Sequence, residues 1–578
     1  MEYSFSCLKK AARSYSAAVG DHRLAVLGDS STQMLSTAIT GMGVLSGMPL
    51  NVYDADYDQI ELQTFDDKSE LYTFAPQSVL IFMCTQRLFE AYCSYDGDRS
   101  RFADEKINEL KLIYQKIYSG TGASIVQFTY VIENDCVFGN FGLKLRSSFI
   151  YQLYRLNMLL MEYASRTSYL YLVDINNIRN ITDTRCFIDN KLYCTSKLAF
   201  SLDALPMIAY NVISVIKSLK GITRKCVICD LDNTLWGGIV GDDGIENIQL
   251  GELGAGYAYT GFQKWLMELK RRGVLICICS KNDEKTAKAV FSNHPDMTLH
   301  LDDIAVFAAN WEDKASNIKK IREILNIGMD SIVFIDDNPF ERELVKKLIP
   351  DITVPDMPED AALFCEYLKS LDLFETSSFS ENDTERTEQY KSEFKRNRLM
   401  SDCKDIEEYL KDLEMIAGQS SFDRSSFSRV AQLTQRSNQF NMRTVRYSES
   451  DIERIAEDDR YITRYYTLKD RFGSYGIVAV LILEKRTDSL FVDTFLMSCR
   501  VLKRGMEEYI FNDMIQTAVD NGYHYIEGEY IPTKKNKQVE KLYDRFGFTE
   551  KEKGRYVIEA DSYTVRSTLV KRQKDDEI

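Results

Sequence analysis

The sequence predicts a multidomain α/β protein. At 578 residues it is longer than a single hydrophobic core organises. Up to about residue 370, short apolar runs alternate with segments of helical period, the pattern of layered sheets flanked by helices. Beyond about residue 405 the apolar runs lengthen and follow one another closely, as antiparallel strands do.

Residues 1–205 carry apolar runs at 24–27, 79–82 and 169–173 between amphipathic segments and are expected to form a three-layer α/β domain. Residues 214–370 repeat the pattern with cleaner strands, at Cys226–Cys229, 274–278 and 331–335, each followed by a polar turn and then a helix. Such an alternation implies parallel strands and a doubly wound sheet, which gathers the polar residues after its strands at one edge, where ligands bind. Residues 371–404 are highly charged and read as a linker. Residues 405–578, with strands expected at 461–467, 475–484 and 489–498, are expected to form an α+β domain.

Composition excludes several function classes. Hydrophobic residues make up 44% and charged residues 28%, a balance foreign to disordered tails and membrane proteins. No apolar run is long enough to span a bilayer and the first residues lack an apolar signal core, so a cytoplasmic location and no membrane partner are expected. A net charge of −15 argues against nucleic-acid binding. The thirteen cysteines include one CxxC pair, Cys226 and Cys229, inside an apolar run, which fits reduced thiols better than disulfides or a structural zinc site.

The chemistry concentrates in the second stretch. In CVICDLDNTLWGG, Asp230 and Asp232 follow a strand at alternate positions, so both carboxylates can face one ligand, one as nucleophile and one as proton carrier. A phosphate dianion repels such a nucleophile unless cations offset its charge. Ser280 in ICICSKND offers a hydroxyl to phosphoryl oxygens beside a helix start, and Lys314 in NWEDKASNI offers a point charge. Asp336 and Asp337 in FIDDNPFER follow another strand and provide hard oxygens suited to Mg²⁺.

These four blocks resemble the motifs of the haloacid dehalogenase superfamily, with Thr234 completing the first. The longer strings DLDNTLWGGIVGDDG, CSKND, NWEDK and FIDDNPFERE, over residues 225–358, resemble the narrower FkbH-like group. The resemblance implies an aspartyl-phosphate on Asp230, Asp232 as general acid and then base, and Thr234, Ser280 and Lys314 around the phosphate. It also implies Mg²⁺ on Asp230, the carbonyl of Asp232 and Asp336, with Asp337 as a possible second carboxylate. About fifty residues separate Asp230 from Ser280, too few for a large cap domain, so an open site is expected. FkbH-like proteins remove phosphate from a phosphorylated three-carbon donor and place a glyceryl group on an acyl carrier protein, which makes a carrier protein and its phosphopantetheine the expected partner and arm. Cys279 and Cys499, with Cys229, are candidate thiols for such a transfer, and buried hydrophobes otherwise.

In the first domain, RLAVLGDSSTQ resembles the first block of SGNH-type hydrolases, with Ser30 in the nucleophile position. The four histidines, His22, His294, His300 and His524, do not supply the DxxH of that family, whose nearest analogue here is Asp174 followed by Asn177. The domain is therefore expected to be SGNH-like without esterase activity, with Ser30 and Ser31 capping a helix. The third domain, through LTQRSNQFNMRTVRYS, SYGIVAVLIL and FLMSCRVLKRGMEEYIFNDMI, looks like a GNAT acyltransferase fold. Arg500 and Gly505 fit the ends of the R/Q-x-x-G-x-G/A loop that grips coenzyme pyrophosphate, but Lys503 replaces its first glycine. Lys503, Arg504 and Arg436 are candidates for a basic landing surface. The alternatives to glyceryl transfer are a plain phosphomonoesterase and a non-enzymatic scaffold.

Overall fold

A computed structural model describes residues 3–182, 187–379, 406–437, 439–533 and 535–573. Residues 380–404 of the expected linker lie outside the described residues. The chain divides into two units, Met1–Leu219 and Lys220–Ile578.

The first unit is built on five parallel strands, β1 (His22–Gly28), β2 (Leu50–Asp54), β3 (Ser78–Phe82), β4 (Ser124–Phe128) and β5 (Leu170–Val173), in the order β2-β1-β3-β4-β5. Central strands buried on both faces read as unbroken apolar runs. In β1, Leu24 and Val26 enter the core that packs helices Gln33–Leu45 and Leu205–Leu219, and Ala25 and Leu27 enter the opposite core, against helices Phe102–Thr121 and Phe149–Ala164. The result is a three-layer α/β sandwich.

The second unit contains two sheets. The parallel one comprises β6 (Cys226–Cys229), β7 (Leu275–Ser280), β8 (Ile304–Ala309) and β9 (Ile332–Ile335), in the order β8-β7-β6-β9. Here too the strands serve two cores, Val227 and Cys229 on one side and Cys226 and Ile228 on the other. The edge strand β8 is not among the expected strands. Its run IAVFAA is half alanine and its four inner residues are only partly buried, so it lacks the continuous burial that marks the other three. The chain leaves β6 toward β7 and β8 and returns to β9 on the other side of β6, which puts the topological switch point between β6 and β9.

The second sheet has eight strands, β10 (Ile416–Ser420), β11 (Tyr461–Asp470), β12 (Gly473–Lys485), β13 (Ser489–Met497), β14 (Tyr525–Glu529), β15 (Thr549–Glu552), β16 (Arg555–Glu559) and β17 (Lys571–Arg572). Their order is β15-β16-β14-β13-β12-β11-β10-β17, antiparallel except for the parallel pairs β13–β14 and β10–β17. The helix Met506–Asp520 supplies Met506, Ile510, Phe511 and Met514 to the core beneath this sheet. Among the described residues no helix is long and apolar enough to cross a membrane.

Candidate active site

The carboxyl ends of β6, β7, β8 and β9 bring the four charged blocks together. Asp230 follows β6 and donates its backbone N–H to the Ile335 carbonyl at 3.0 Å, which fixes it against the end of β9. Ser280 closes β7, Lys314 opens the helix Lys314–Leu325 after β8, and Asp336 follows β9. Asp313 caps that helix by accepting from the Ser316 N–H at 2.8 Å, and so sets where Lys314 leaves the first turn.

All three charged groups at the bottom are buried. Lys314 Nζ lies 2.9 Å from Asp230 Oδ2 and 2.5 Å from Asp336 Oδ2. Burial opposes the charge on Lys314, but Asp230 and then Asp336 outweigh it and raise its pKa above the ordinary lysine value. Burial and then the Asp230 carboxylate push Asp336 up to about 6, against the pull of Lys314. Asp337 is raised by the same two causes. One ammonium does not neutralise three carboxylates, and Asp230 Oδ1 is buried without a hydrogen-bond partner. Ligand oxygens of Asp230, Asp336 and Asp337 lie within 4.8 Å of one another. That arrangement of hard oxygens with unbalanced negative charge fits a divalent cation of the Mg²⁺ class.

Asp232 is held differently. Its Oδ1 accepts from the Trp236 indole N–H at 2.9 Å and the Val240 N–H at 3.1 Å, and its Oδ2 accepts from the Asn282 amide at 2.8 Å. The loop that returns Trp236 and Val240 to Asp232 turns at Asn233, whose φ of 53° lies in the left-handed region that asparagine tolerates, and Asn233 Oδ1 accepts from the Gly238 N–H at 2.9 Å. Asn282 escapes a reading of the sequence by motif. Its signal is position, two residues past Ser280 on the same strand-to-helix turn.

Asp230, Asp232, Ser280, Lys314 and Asp337 line one cavity of about 540 Å³, with Asn282 on its wall. Thr234, expected at the phosphate, is fully buried and is not among the lining residues. Its hydroxyl donates to Asp337 Oδ1 at 3.2 Å and accepts from the Asp337 N–H at 3.1 Å, so it orients Asp337. Between β6 and β7 the elements are a short turn of helix, Val240–Asp243, and the helix Gly254–Arg271, whose Phe262 and Leu266 pack into the core. That interval carries no cap domain.

The family model for the FkbH N-terminal domain matches residues 23–217. The solved structure of the N-terminal part of the protein BF1531 from Bacteroides fragilis, containing a phosphatase domain complexed with Mg, is 42% identical to the chain, with a TM-score of 0.62. The match covers 65% of this chain and 100% of that one. The chain belongs to the FkbH family. Among curated proteins, none matches. The ribosomal-protein-S18-alanine N-acetyltransferase from Escherichia coli is 15% identical, covering 25% of this chain and 91% of that one, with a TM-score of 0.20. Nothing about activity follows from so slight a likeness.

Outside the central cavity, this FkbH-family protein places the remaining candidates less favourably. Cys279 is fully buried, and its Sγ lies 3.7 Å from the Lys314 carbonyl within an apolar core. Burial pushes its thiol far up, with Lys314 opposing, so Cys279 is no carrier of an acyl group. Cys229 is buried in the same way and its thiol likewise raised. The side chains of Cys499 and Arg436 lie outside those described.

Ser30 is buried with its Oγ unpartnered, and it does not cap a helix. The residue before helix Gln33–Leu45 is Thr32, which makes no side-chain cap bond, and Ser31 Oγ turns to Gln33 Oε1 at 2.6 Å. The reason is length: the turn after β1 runs two residues beyond Ser30 before the helix begins. His22 sits at the opposite end of β1, against Ser78 Oγ at 3.0 Å, and Asp174 caps helix Ile175–Ile181.

At the start of helix Met506–Asp520, Lys503 adopts a φ of 61° and Gly505 a φ of 83°. The Lys503 N–H donates at 3.0 Å to the carboxylate of Glu507, a buried residue, so this backbone donor is already taken. Arg504 is buried over the Tyr475 ring, and Arg500 Nε donates to Ser498 Oγ at 3.3 Å. Buried in this way, Arg504 is not part of a landing surface.

Proposed function

We propose that this FkbH-family chain is a Mg²⁺-dependent phosphatase that works through an aspartyl-phosphate on Asp230. The observation that carries the reading is the single cavity in which Asp230 Oδ1 stands unpartnered beside Lys314 while three N–H donors hold Asp232. Asp230 attacks phosphorus, the bond from phosphorus to the leaving oxygen breaks, and Asp232 gives that oxygen its proton. Asp232 then takes a proton from water, the water oxygen attacks phosphorus, and the bond to Asp230 breaks to release inorganic phosphate. Ser280 and Lys314 bind the phosphoryl oxygens. Asp230, Asp336 and Asp337, with the Asp232 carbonyl, would hold the Mg²⁺, which supplies the charge that lets a carboxylate approach a phosphate.

The finer reading is transfer of a glyceryl-type acyl group from a phosphorylated three-carbon donor to the phosphopantetheine of an acyl carrier protein. Family membership supports it, and so does the lack of a cap domain between β6 and β7, which leaves room for a substrate presented on an arm. The test incubates the protein with Mg²⁺, 1,3-bisphosphoglycerate and a phosphopantetheinylated carrier protein, following phosphate release and the carrier's intact mass. A gain matching a glyceryl thioester, lost in Asp230→Asn, supports transfer. Phosphate without a carrier adduct leaves a plain phosphomonoesterase, and no phosphate removes the enzymatic reading.

A further inference from the structure

The first unit carries an ordered apolar face on its outside. After β4 the chain folds into a single turn of 3-10 helix, Gly139–Lys144, around which Phe138, Phe141 and Leu143 stand in solvent. Helix Phe149–Ala164 follows at once and exposes Tyr154, Met158 and Met161. These side chains are between 46% and 61% exposed.

The exposure does not come from loose backbone. The Cys136 N–H donates to Asn134 Oδ1 at 2.9 Å, the Phe141 N–H to the Phe138 carbonyl at 3.1 Å and the Leu145 N–H to the Gly142 carbonyl at 3.2 Å. Ser148 ties the turn to the helix: its Oγ donates to the Gly142 carbonyl at 2.6 Å and caps the helix by accepting from the Tyr151 N–H at 3.3 Å. Gly142 lies so close to the helix that a Cβ there would come within 2.9 Å of Ile150 Cγ2. Positions 150, 154, 158 and 161 recur at the spacing of one helix face. The stripe that the turn covers at Ile150, which is buried, therefore continues uncovered through Tyr154, Met158 and Met161.

Size and shape say what covers it. At roughly 200 Å² for a large side chain in full exposure, the six leave about 600 Å² of apolar surface open, the upper end of what a monomer leaves in one patch. A homodimer interface takes roughly 800 Å² from each partner, about two thirds of it apolar, and this face with a polar rim supplies that. The face is also complementary to itself, with a raised turn at one end and a bare stripe at the other. Lys144 is exposed beside the turn and Glu162 is exposed beside Met161, so the two ends carry opposite charge.

We infer that this face joins two copies of the chain about a two-fold axis, with their Phe149–Ala164 helices antiparallel. Each turn then seats on the partner's Met158 and Met161, as it already seats on its own Ile150, and Lys144 meets the partner's Glu162. The flexible methionines adapt to the aromatic rings set on them.

Sedimentation equilibrium of the full chain tests this. A dimer is expected, with a dissociation constant in the micromolar range or tighter. Met158→Glu sets a charge in the middle of the apolar contact and is expected to weaken association about thirtyfold or more. Its far-UV circular dichroism stays that of the parent, because Met158 belongs to neither core of the unit. Lys144→Glu and Glu162→Lys each weaken the dimer about threefold or more by placing like charges together, and the double substitution restores it. A chain that is monomeric at about 100 µM, a dimer that survives Met158→Glu, or a double substitution no better than either single one overturns the inference.

Discussion

Lys314 Nζ lies 2.9 Å from Asp230 Oδ2, and both side chains are buried. The pair holds one oxygen of the nucleophile and leaves the other, Oδ1, without a partner. Because Asp230 and Asp336 outweigh the burial of Lys314, its ammonium keeps its charge throughout the working pH range. A fixed positive charge under a carboxylate with one free oxygen is what nucleophilic attack on a phosphate dianion needs.

Lys314→Met removes that charge and leaves two buried carboxylates facing each other. Phosphate release is expected to fall by about a hundredfold or more, the scale of losing an electrostatic stabiliser. Denaturant unfolding should show a loss of about 3–5 kcal/mol, the usual cost of removing one partner of a buried ion pair. Adding Asp230→Asn should restore part of the stability and none of the activity. If the two losses are simply additive, the pair is not coupled.

Asn282→Ala frees one oxygen of Asp232 from its 2.8 Å amide bond while the Trp236 and Val240 donors remain. A misplaced acid-base group lowers kcat by about ten- to a hundredfold, less than removal of the group, with KM little changed. A steady-state profile with unchanged kcat would show that Asn282 has no part in placing Asp232.

Much of this site is legible in the sequence because each block directly follows a strand or opens a helix: Asp230 after CVIC, Ser280 after ICIC, Asp336 after IVFI and Lys314 after an Asp that caps its helix. Contacts across distance are not legible. Thr234 and Asp337 are 103 positions apart, and only the folded chain shows that hydrogen bonds tie the buried threonine to Asp337. The half-buried alanine-rich β8 has no strong period to find. Cys279 resembles a reactive thiol by its place beside Ser280, and the fold turns alternate strand residues to opposite faces, leaving its sulfur in an apolar core.

Asp29, after β1, accepts from the Cys84 N–H at 3.0 and 3.2 Å, and burial pushes its pKa from 3.8 to about 7. Between those values the unfolded chain has released the proton and the folded chain keeps it, so folding stability falls as pH rises from about 4 to about 7 and then levels. The loss is up to about 4 kcal/mol. Asp29→Asn should therefore gain stability relative to the parent at pH 8 and not at pH 4, measured by denaturant unfolding of the full chain. A difference independent of pH would remove the titration.

Coenzyme A and acetyl-CoA should not bind at the helix Met506–Asp520, because the Glu507 carboxylate already holds the Lys503 N–H. Isothermal titration calorimetry of the full chain is expected to show no heat of binding that depends on Lys503, and micromolar binding lost on Lys503→Glu would contradict this.

Acid-quenched Asp232→Asn protein, mixed with Mg²⁺ and acetyl phosphate and mapped by peptide mass spectrometry, tests the central claim most directly. Asp230 as nucleophile predicts a hydroxylamine-labile phosphoryl group on the peptide that contains Asp230, absent when Asp230→Asn is added. A phosphoryl group on another residue, or phosphate release by Asp230→Asn at the parent rate, would contradict it.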